Sequence, residues 1–167
     1  WNKKPKKENW ENINMKKYEE FINALQYVDQ GDNKSAYDKL TELINDNLEL
    51  ENKTLYYDAL YARASLDIAN LNLHIDDSIE DLKILIANRT RYVKESYSLA
   101  TLVYDHLEMP DEVIEYGTKA LELDAPFTSE IAYALAKAYA SRGTKSSYLE
   151  ALKYIDTCID NADASQL

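Results

Sequence analysis

The chain has 167 residues, of which 46% are hydrophobic, so it has enough apolar side chains to bury a core and is not expected to be disordered. It contains only 3 Gly and 3 Pro, too few for the many turns of a β-sandwich or barrel, which favours helices joined by short connections. The net charge of −11 argues against nucleic acid as a partner, because the phosphate backbone is repelled by an acidic surface.

The first residues differ in composition from the rest of the chain. Four lysines, at positions 3, 4, 6 and 7, surround Pro5, and residues 1–16 are predicted to form a basic N-terminal arm or linker. Three interpretations remain open: a solvated tail, an arm that folds back on the acidic body, or a segment next to a membrane anchor. No run of about twenty apolar residues is present, so we expect membrane attachment only through a segment preceding Trp1.

From Lys17 onward, apolar residues recur at steps of three and four, as in an amphipathic helix. Polar turns are predicted at residues 30–33, 70–76, 108–111 and 142–147. Gly31 and Gly143 suit the left-handed position after a helix, and Pro110 suits the first turn of a new one. The pattern therefore predicts helices in pairs, followed by a short C-terminal tail at residues 164–167.

The segment Asp111–Asp124 resembles the consensus of the tetratricopeptide repeat (TPR) family, whose unit of about 34 residues is a helix-turn-helix. The resemblance implies an all-α, right-handed α-solenoid of about four TPR-like units, near residues 17–50, 57–92, 94–127 and 129–163. Gly117 departs from the family pattern, which has an aromatic residue there, so either a neighbour or ligand approaches closely or a gap is left. The small residues expected where helices cross are Ala24, Ala36, Ala64, Ser78, Thr101, Val113, Ala120, Ala136, Ala151 and Cys158.

The last predicted helix has an apolar face formed by Tyr148, Ala151, Leu152, Ile155 and Ile159, and it has polar residues on the other face. A repeat array needs a polar outer surface at its end. We therefore expect this helix to turn its apolar face inward and cap the stack, so that the domain ends near residue 163.

No spacing typical of a catalytic site is present, and we expect a protein that is not an enzyme and uses no cofactor. His106 lies among Asp105, Glu108 and Asp111, but in so acidic a chain this grouping is expected by chance, so no metal site is predicted. Cys158 falls at a helix crossing, where we expect it to be buried and inert. The single cysteine also excludes an internal disulfide.

The resemblance implies a concave groove lined by the first helix of each unit, which in this family binds a peptide or partner helix. Aromatic residues beside carboxylates suit a protein or peptide ligand with apolar and basic character. Chaperone-binding members of the family hold a terminal carboxylate with Lys, Asn and Arg side chains. That clamp is absent here, since its positions are occupied by Phe21, Leu25, Glu95 and Leu99. The groove residues expected here are Tyr18, Phe21, Asp58, Tyr61, Ser65, Glu95, Ser98, Asp105, His106, Glu130, Tyr133 and Lys137.

Two functions follow as hypotheses. The first is a non-enzymatic scaffold that binds a protein partner in the groove. The alternative is a membrane-tethered assembly subunit, or one that associates with copies of itself. The compartment stays open between cytoplasmic and membrane-tethered, and the Asn-, Lys-, Ile- and Tyr-rich composition is typical of AT-rich bacterial coding sequences.

Overall fold

The computed structural model describes residues 7–164, apart from the side chains of residues 7, 8, 71 and 162–164. These residues form helices and connecting turns, with no β-strand among them, which confirms the all-α prediction. Two segments, Ile44–Leu48 and Asp67–Leu71, have π-type turns. The helices are α1 (Lys7–Asp29), α2 (Asn33–Leu43), α3 (Glu49–Glu51), α4 (Lys53–Leu66), α5 (Ile75–Ala87), α6 (Val93–His106), α7 (Pro110–Glu122), α8 (Thr128–Ser141) and α9 (Lys145–Ala164).

The predicted turns have the expected backbone chemistry. Gly31 and Gly143 adopt φ values of 78° and 70°, in the left-handed region that glycine enters without strain. Pro110 opens α7, where its missing N–H leaves no helical hydrogen bond unmade. Both predictions are confirmed.

The chain divides into two compact units, with the boundary between Asp81 and Leu82 inside α5. In the first unit, α1 packs against α2, and α2 packs against α4. Arg63 of α4 forms a salt bridge with Asp81 of α5, which fixes these two helices to each other. The apolar core of this unit includes Ala24, Ala36, Leu40, Leu48, Leu55, Leu60 and Ala64.

A kink in the first unit is held by a buried lysine. Asp46 and Asn47 leave the helical region, and Asn47 has a φ of 56°. Lys17 of α1 is almost fully buried, and its ammonium donates to the Asp46 carboxylate and, at 3.0 Å, to the Asp46 carbonyl. The lysine thus satisfies backbone that the interrupted helix leaves unpaired.

In the second unit, consecutive helices from α6 to α9 pack against each other, and α6 also packs against α8. Nine of the ten predicted helix-crossing residues are buried, whereas Cys158 is only half-buried. Burial of small side chains lets helix backbones approach closely. The core of the second unit includes Leu82, Leu85, Ala100, Val103, Tyr104, Val113, Ala120, Ile131 and Leu135.

The N-terminal end differs from the predicted arm. Helix α1 begins at Lys7, ten residues before the predicted start of the repeats, so residues 7–16 continue the first helix. Trp10 and Met15 on this segment are exposed. The remaining part of the predicted arm, residues 1–6, and residues 165–167 of the predicted tail lie outside the described residues.

The expectation that α9 caps the array with its apolar face inward is wrong. Ala151 is buried, but the large residues of the predicted inner face, Tyr148, Leu152, Ile155 and Ile159, are exposed. The helix instead packs through the side that carries Ala151, Tyr154 and Cys158, since Tyr154 stacks on Tyr139 of α8 and Cys158 lies against Ser129.

Candidate functional site

The second unit brings together several of the predicted groove residues on neighbouring helices α6 and α8. Lys137 Nζ lies 2.8 Å from Asp105 Oδ2 and 4.9 Å from the centre of the Tyr133 ring. Lys137 Nζ therefore lies over one face of the Tyr133 ring, and because Tyr133 is 59% exposed, the rest of the ring offers an apolar surface to solvent. We call the surface formed by Asp105, His106, Glu130, Tyr133 and Lys137 the α6–α8 surface.

The helical register explains how these residues meet. Glu130, Tyr133 and Lys137 are spaced by three and four residues, which places them on one face of α8. Asp105 lies in the last turn of α6, and α6 packs against α8. The Asp105–Lys137 pair therefore links α6 to α8.

A cleft of about 370 Å³ adjoins this surface at the turn between α6 and α7. It combines apolar side chains with the Asp105–Lys137 pair, a mixture that suits an apolar anchor beside a charged group. Sequence reasoning assigned residues 108–111 only to a turn and missed their part in the cleft. The lining residues are Asp105, Glu108, Met109, Pro110, Val113, Lys137, Ala138 and Ser141.

The cleft and the α6–α8 surface are negatively charged as a set. Asp105 is neutralised by Lys137, but neither Glu108 nor Glu130 forms an ion pair with any side chain that the structure describes. Both of these carboxylates are exposed. A basic group arriving here would meet unneutralised negative charge.

Two further predicted residues of the second unit have different settings, whereas His106 belongs to the α6–α8 surface. Ser98 is fully buried, and its hydroxyl donates to the Pro126 carbonyl at 2.7 Å, so it holds the α8 entry rather than lining a surface. Glu95 has one buried carboxylate oxygen without a hydrogen-bond partner among the described residues. His106 is exposed at the end of α6.

The remaining predicted residues belong to the first unit and form a separate set. Tyr18 on α1 is exposed and Phe21 is half-buried. Asp58, Tyr61 and Ser65 lie on α4 and are half-buried. The buried Ser65 hydroxyl makes no hydrogen bond within the described part of the chain.

The first unit also has a polar cleft of about 650 Å³ between α1 and α2 that sequence reasoning did not anticipate. Its basic group, Lys39, is already paired with Glu42 at 2.9 Å. The recurring polar residues along α1 were the only sequence feature that could have indicated this cleft, but they are equally typical of any solvated helix face. The lining residues are Glu20, Asn23, Gln26, Tyr27, Gln30, Lys39, Glu42, Leu43 and Asp46.

Three further features bear on what the chain can do: its thiol, its potential metal ligands and the apolar character of its helices. Burial raises the pKa of the Cys158 thiol, which therefore has little thiolate character at neutral pH. Among the side chains that the structure describes, no group of three or more His, Cys, Asp or Glu is arranged to hold a metal ion. No helix within the described residues is both long and apolar enough to cross a membrane.

A comparison with models of known protein families finds no match to this chain, and a comparison with curated proteins finds none either.

Proposed function

We propose that this chain is a non-enzymatic protein-interaction module, and that the α6–α8 surface binds a peptide or partner helix with apolar and basic character. The observation that carries the proposal is the juxtaposition of the exposed Tyr133 ring, an adjoining cleft and two unneutralised carboxylates, Glu130 on α8 and Glu108 in the turn after α6. Buried aromatic anchors contribute much of the affinity of protein interfaces, and complementary charge at the rim provides specificity and association rate.

In the bound state, an apolar side chain of the ligand covers the Tyr133 ring or enters the cleft beside Met109 and Val113. Basic side chains of the ligand lie near Glu108 and Glu130. Lys137 competes with them, because it already occupies Asp105. In the free protein, Lys137 therefore neutralises part of the negative charge of this surface, and a basic group of the ligand has to compete with it.

The experiment measures binding of two labelled synthetic peptides of about 15 residues by fluorescence anisotropy. Both peptides have leucines at helical spacing, and they differ only in having lysine or glutamate at the polar positions. We expect the lysine peptide to bind more tightly, and its affinity to fall as salt is raised. Equal affinities for the two peptides, or binding of neither, would contradict the proposal.

Two substitutions change the affinity for the lysine peptide in opposite directions. Tyr133→Ala removes the aromatic anchor and should weaken binding about tenfold, which corresponds to about 1.4 kcal/mol. Lys137→Gln releases Asp105 and should strengthen binding. Leu50→Ala is the matched control, because Leu50 is 86% exposed in the first unit and should leave the affinity unchanged.

A further inference from the structure

The outermost helix of the second unit exposes a continuous apolar stripe. Tyr148, Leu152, Ile155 and Ile159 are each between 41% and 56% exposed, and Leu149 beside them is 54% exposed. Isolated exposed apolar residues are ordinary, but five large ones on one helix are typical of an interaction surface. We call Tyr148, Leu152, Ile155 and Ile159 the α9 seam.

The spacing of the α9 seam is that of a helix-pairing surface. Its residues follow one another at steps of four, three and four, which is the a/d pattern of a two-helix seam. The packing of α9 against its own unit uses a different side, through Ala151 and Tyr154. The seam is therefore left uncovered by the described residues of the second unit, and it is shaped for another helix.

We propose that the α9 seam is the interface of a homodimer, in which α9 of one copy pairs antiparallel with α9 of a second copy. Two-fold symmetry about the level of Lys153 and Tyr154 brings each Tyr148 against the other copy's Ile159. The same symmetry brings each Leu152 against the other copy's Ile155. Every residue of the seam then meets an apolar partner, as an interface between identical surfaces requires.

Charge complementarity favours this antiparallel arrangement. Lys145 begins α9, and Asp160 lies in its last turns, both exposed. In an antiparallel pair, the lysine at the start of one helix approaches the aspartate near the end of the other, at both ends of the interface. The helix dipoles are also opposed, which is favourable, whereas a parallel pair would bring the like charges together.

Helix α1 is a less suitable partner for the seam. It also exposes apolar residues, Met15, Tyr18 and Ile22, but exposed Glu11 and Glu19 accompany them. Asp156 and Asp160 accompany the α9 seam. Acidic groups therefore flank both helices, and what disfavours pairing α1 with α9 of another copy is that it would give an open-ended chain of molecules rather than a closed dimer.

Sedimentation of the whole chain over a range of concentrations tests the proposal. We expect a reversible monomer–dimer equilibrium, and Leu152→Glu should raise the dimer dissociation constant at least tenfold. Ile22→Glu and Leu50→Glu place the same charge on exposed residues outside the seam and should leave it unchanged. Circular dichroism of each variant verifies that the helices are intact.

Each of the other outcomes overturns the proposal. If the chain stays monomeric at all concentrations, the α9 seam does not pair with a second copy and would have to bind a different protein. Species larger than a dimer, or equal sensitivity to Ile22→Glu, would indicate head-to-tail pairing of α1 with α9. A dimer that is insensitive to Leu152→Glu would place the interface elsewhere.

Cysteine cross-linking determines the direction of the pairing. In a Cys158→Ser background, the single variants Leu152→Cys and Ile155→Cys are oxidised separately and as an equal mixture. The antiparallel pair predicts that the mixture forms the 152–155 disulfide faster than either variant cross-links with itself. Faster formation of the 152–152 disulfide would contradict the antiparallel arrangement.

Discussion

At the scale of single residues, Asp67 is the clearest case of a buried charge with a structural task. It is fully buried, and its carboxylate accepts hydrogen bonds from the backbone N–H groups of Leu73 and His74 and from the Ser78 hydroxyl, at 3.0 to 3.2 Å. The carboxylate thereby satisfies donors at the start of α5 that the turn leaves unpaired.

Replacing Asp67 with Ala should lower the free energy of unfolding by about 3 kcal/mol, because buried donors lose a charged acceptor. Urea unfolding followed by circular dichroism measures the change. Asp76→Ala is the control, since Asp76 is exposed in the first turn of the same helix and its loss should cost less than about 1 kcal/mol. Equal effects of the two substitutions would show that Asp67 has no special role.

The surroundings of Gly117 in α7 explain why glycine stands where the resembling repeat pattern has an aromatic residue. A Cβ atom at this position would lie 3.0 Å from Thr101 Cγ2 and 3.1 Å from Leu135 Cδ2. Of the two explanations left open by the sequence, the close approach of neighbours is therefore the correct one. Side chains of α6 and α8 occupy the space that a larger residue would need.

Gly117→Val should destabilise the second unit by about 1 to 3 kcal/mol, since the added methyl groups overpack a filled region. Thermal unfolding measures this loss. Glu115→Val places the same β-branched residue on the exposed face of α7 and controls for helix propensity. If the two variants were equally stable, the packing around Gly117 would be looser than described.

At the scale of elements, α4 and α5 are joined by a bidentate ion pair. Arg63 Nε and a terminal nitrogen donate to the two oxygens of Asp81 at 2.9 and 2.7 Å, and a further nitrogen donates to Thr41 at 3.2 Å. Burial raises the pKa of Asp81 even though Arg63 acts to lower it. Such a pair adds little stability over apolar residues, but losing one partner is costly.

We expect Arg63→Met alone to destabilise the protein by about 3 to 5 kcal/mol, and the double variant Arg63→Met/Asp81→Leu to recover most of that loss. A double-mutant cycle by urea unfolding measures the coupling. Additive losses would contradict the buried ion-pair description.

The Arg63–Asp81 pair also predicts how the stability of the Arg63→Met variant changes with pH. Without Arg63, the pKa of Asp81 in the folded state should rise further, because burial is no longer opposed. A folded-state pKa above the unfolded one favours folding at low pH, and this contribution is lost as the pH rises through the folded-state pKa. The free energy of unfolding that Arg63→Met loses relative to the unsubstituted chain should therefore be smaller at about pH 4 than at about pH 7.

At the scale of the whole molecule, local patterns predicted the helices and their turns, because Gly31, Gly143 and Pro110 act through their own backbone. The small residues that the family resemblance placed at helix crossings are also buried, apart from the half-buried Cys158. The kink at Asp46 could not be predicted, since it depends on Lys17, which is distant in the sequence. The outward direction of the α9 seam was missed because an amphipathic pattern identifies an apolar face without specifying what covers it.

The candidate site was predictable only in part, for a similar reason. Helical register gave the common face of Glu130, Tyr133 and Lys137, which is a local property. The pairing of Lys137 with Asp105 and the cleft beside Met109 arise from the packing of α6 on α8. Ser98 was included because the family resemblance places its position in the groove, although the tertiary structure buries it.

The most direct test of the proposed binding surface is nuclear magnetic resonance of the isotope-labelled chain during titration with the lysine peptide. A Leu152→Glu background keeps any pairing through α9 from contributing. We predict that chemical-shift changes concentrate on α6 and α8 around Asp105, Tyr133 and Lys137. Changes confined to the first unit or to α9, or none at excess peptide, would contradict the account.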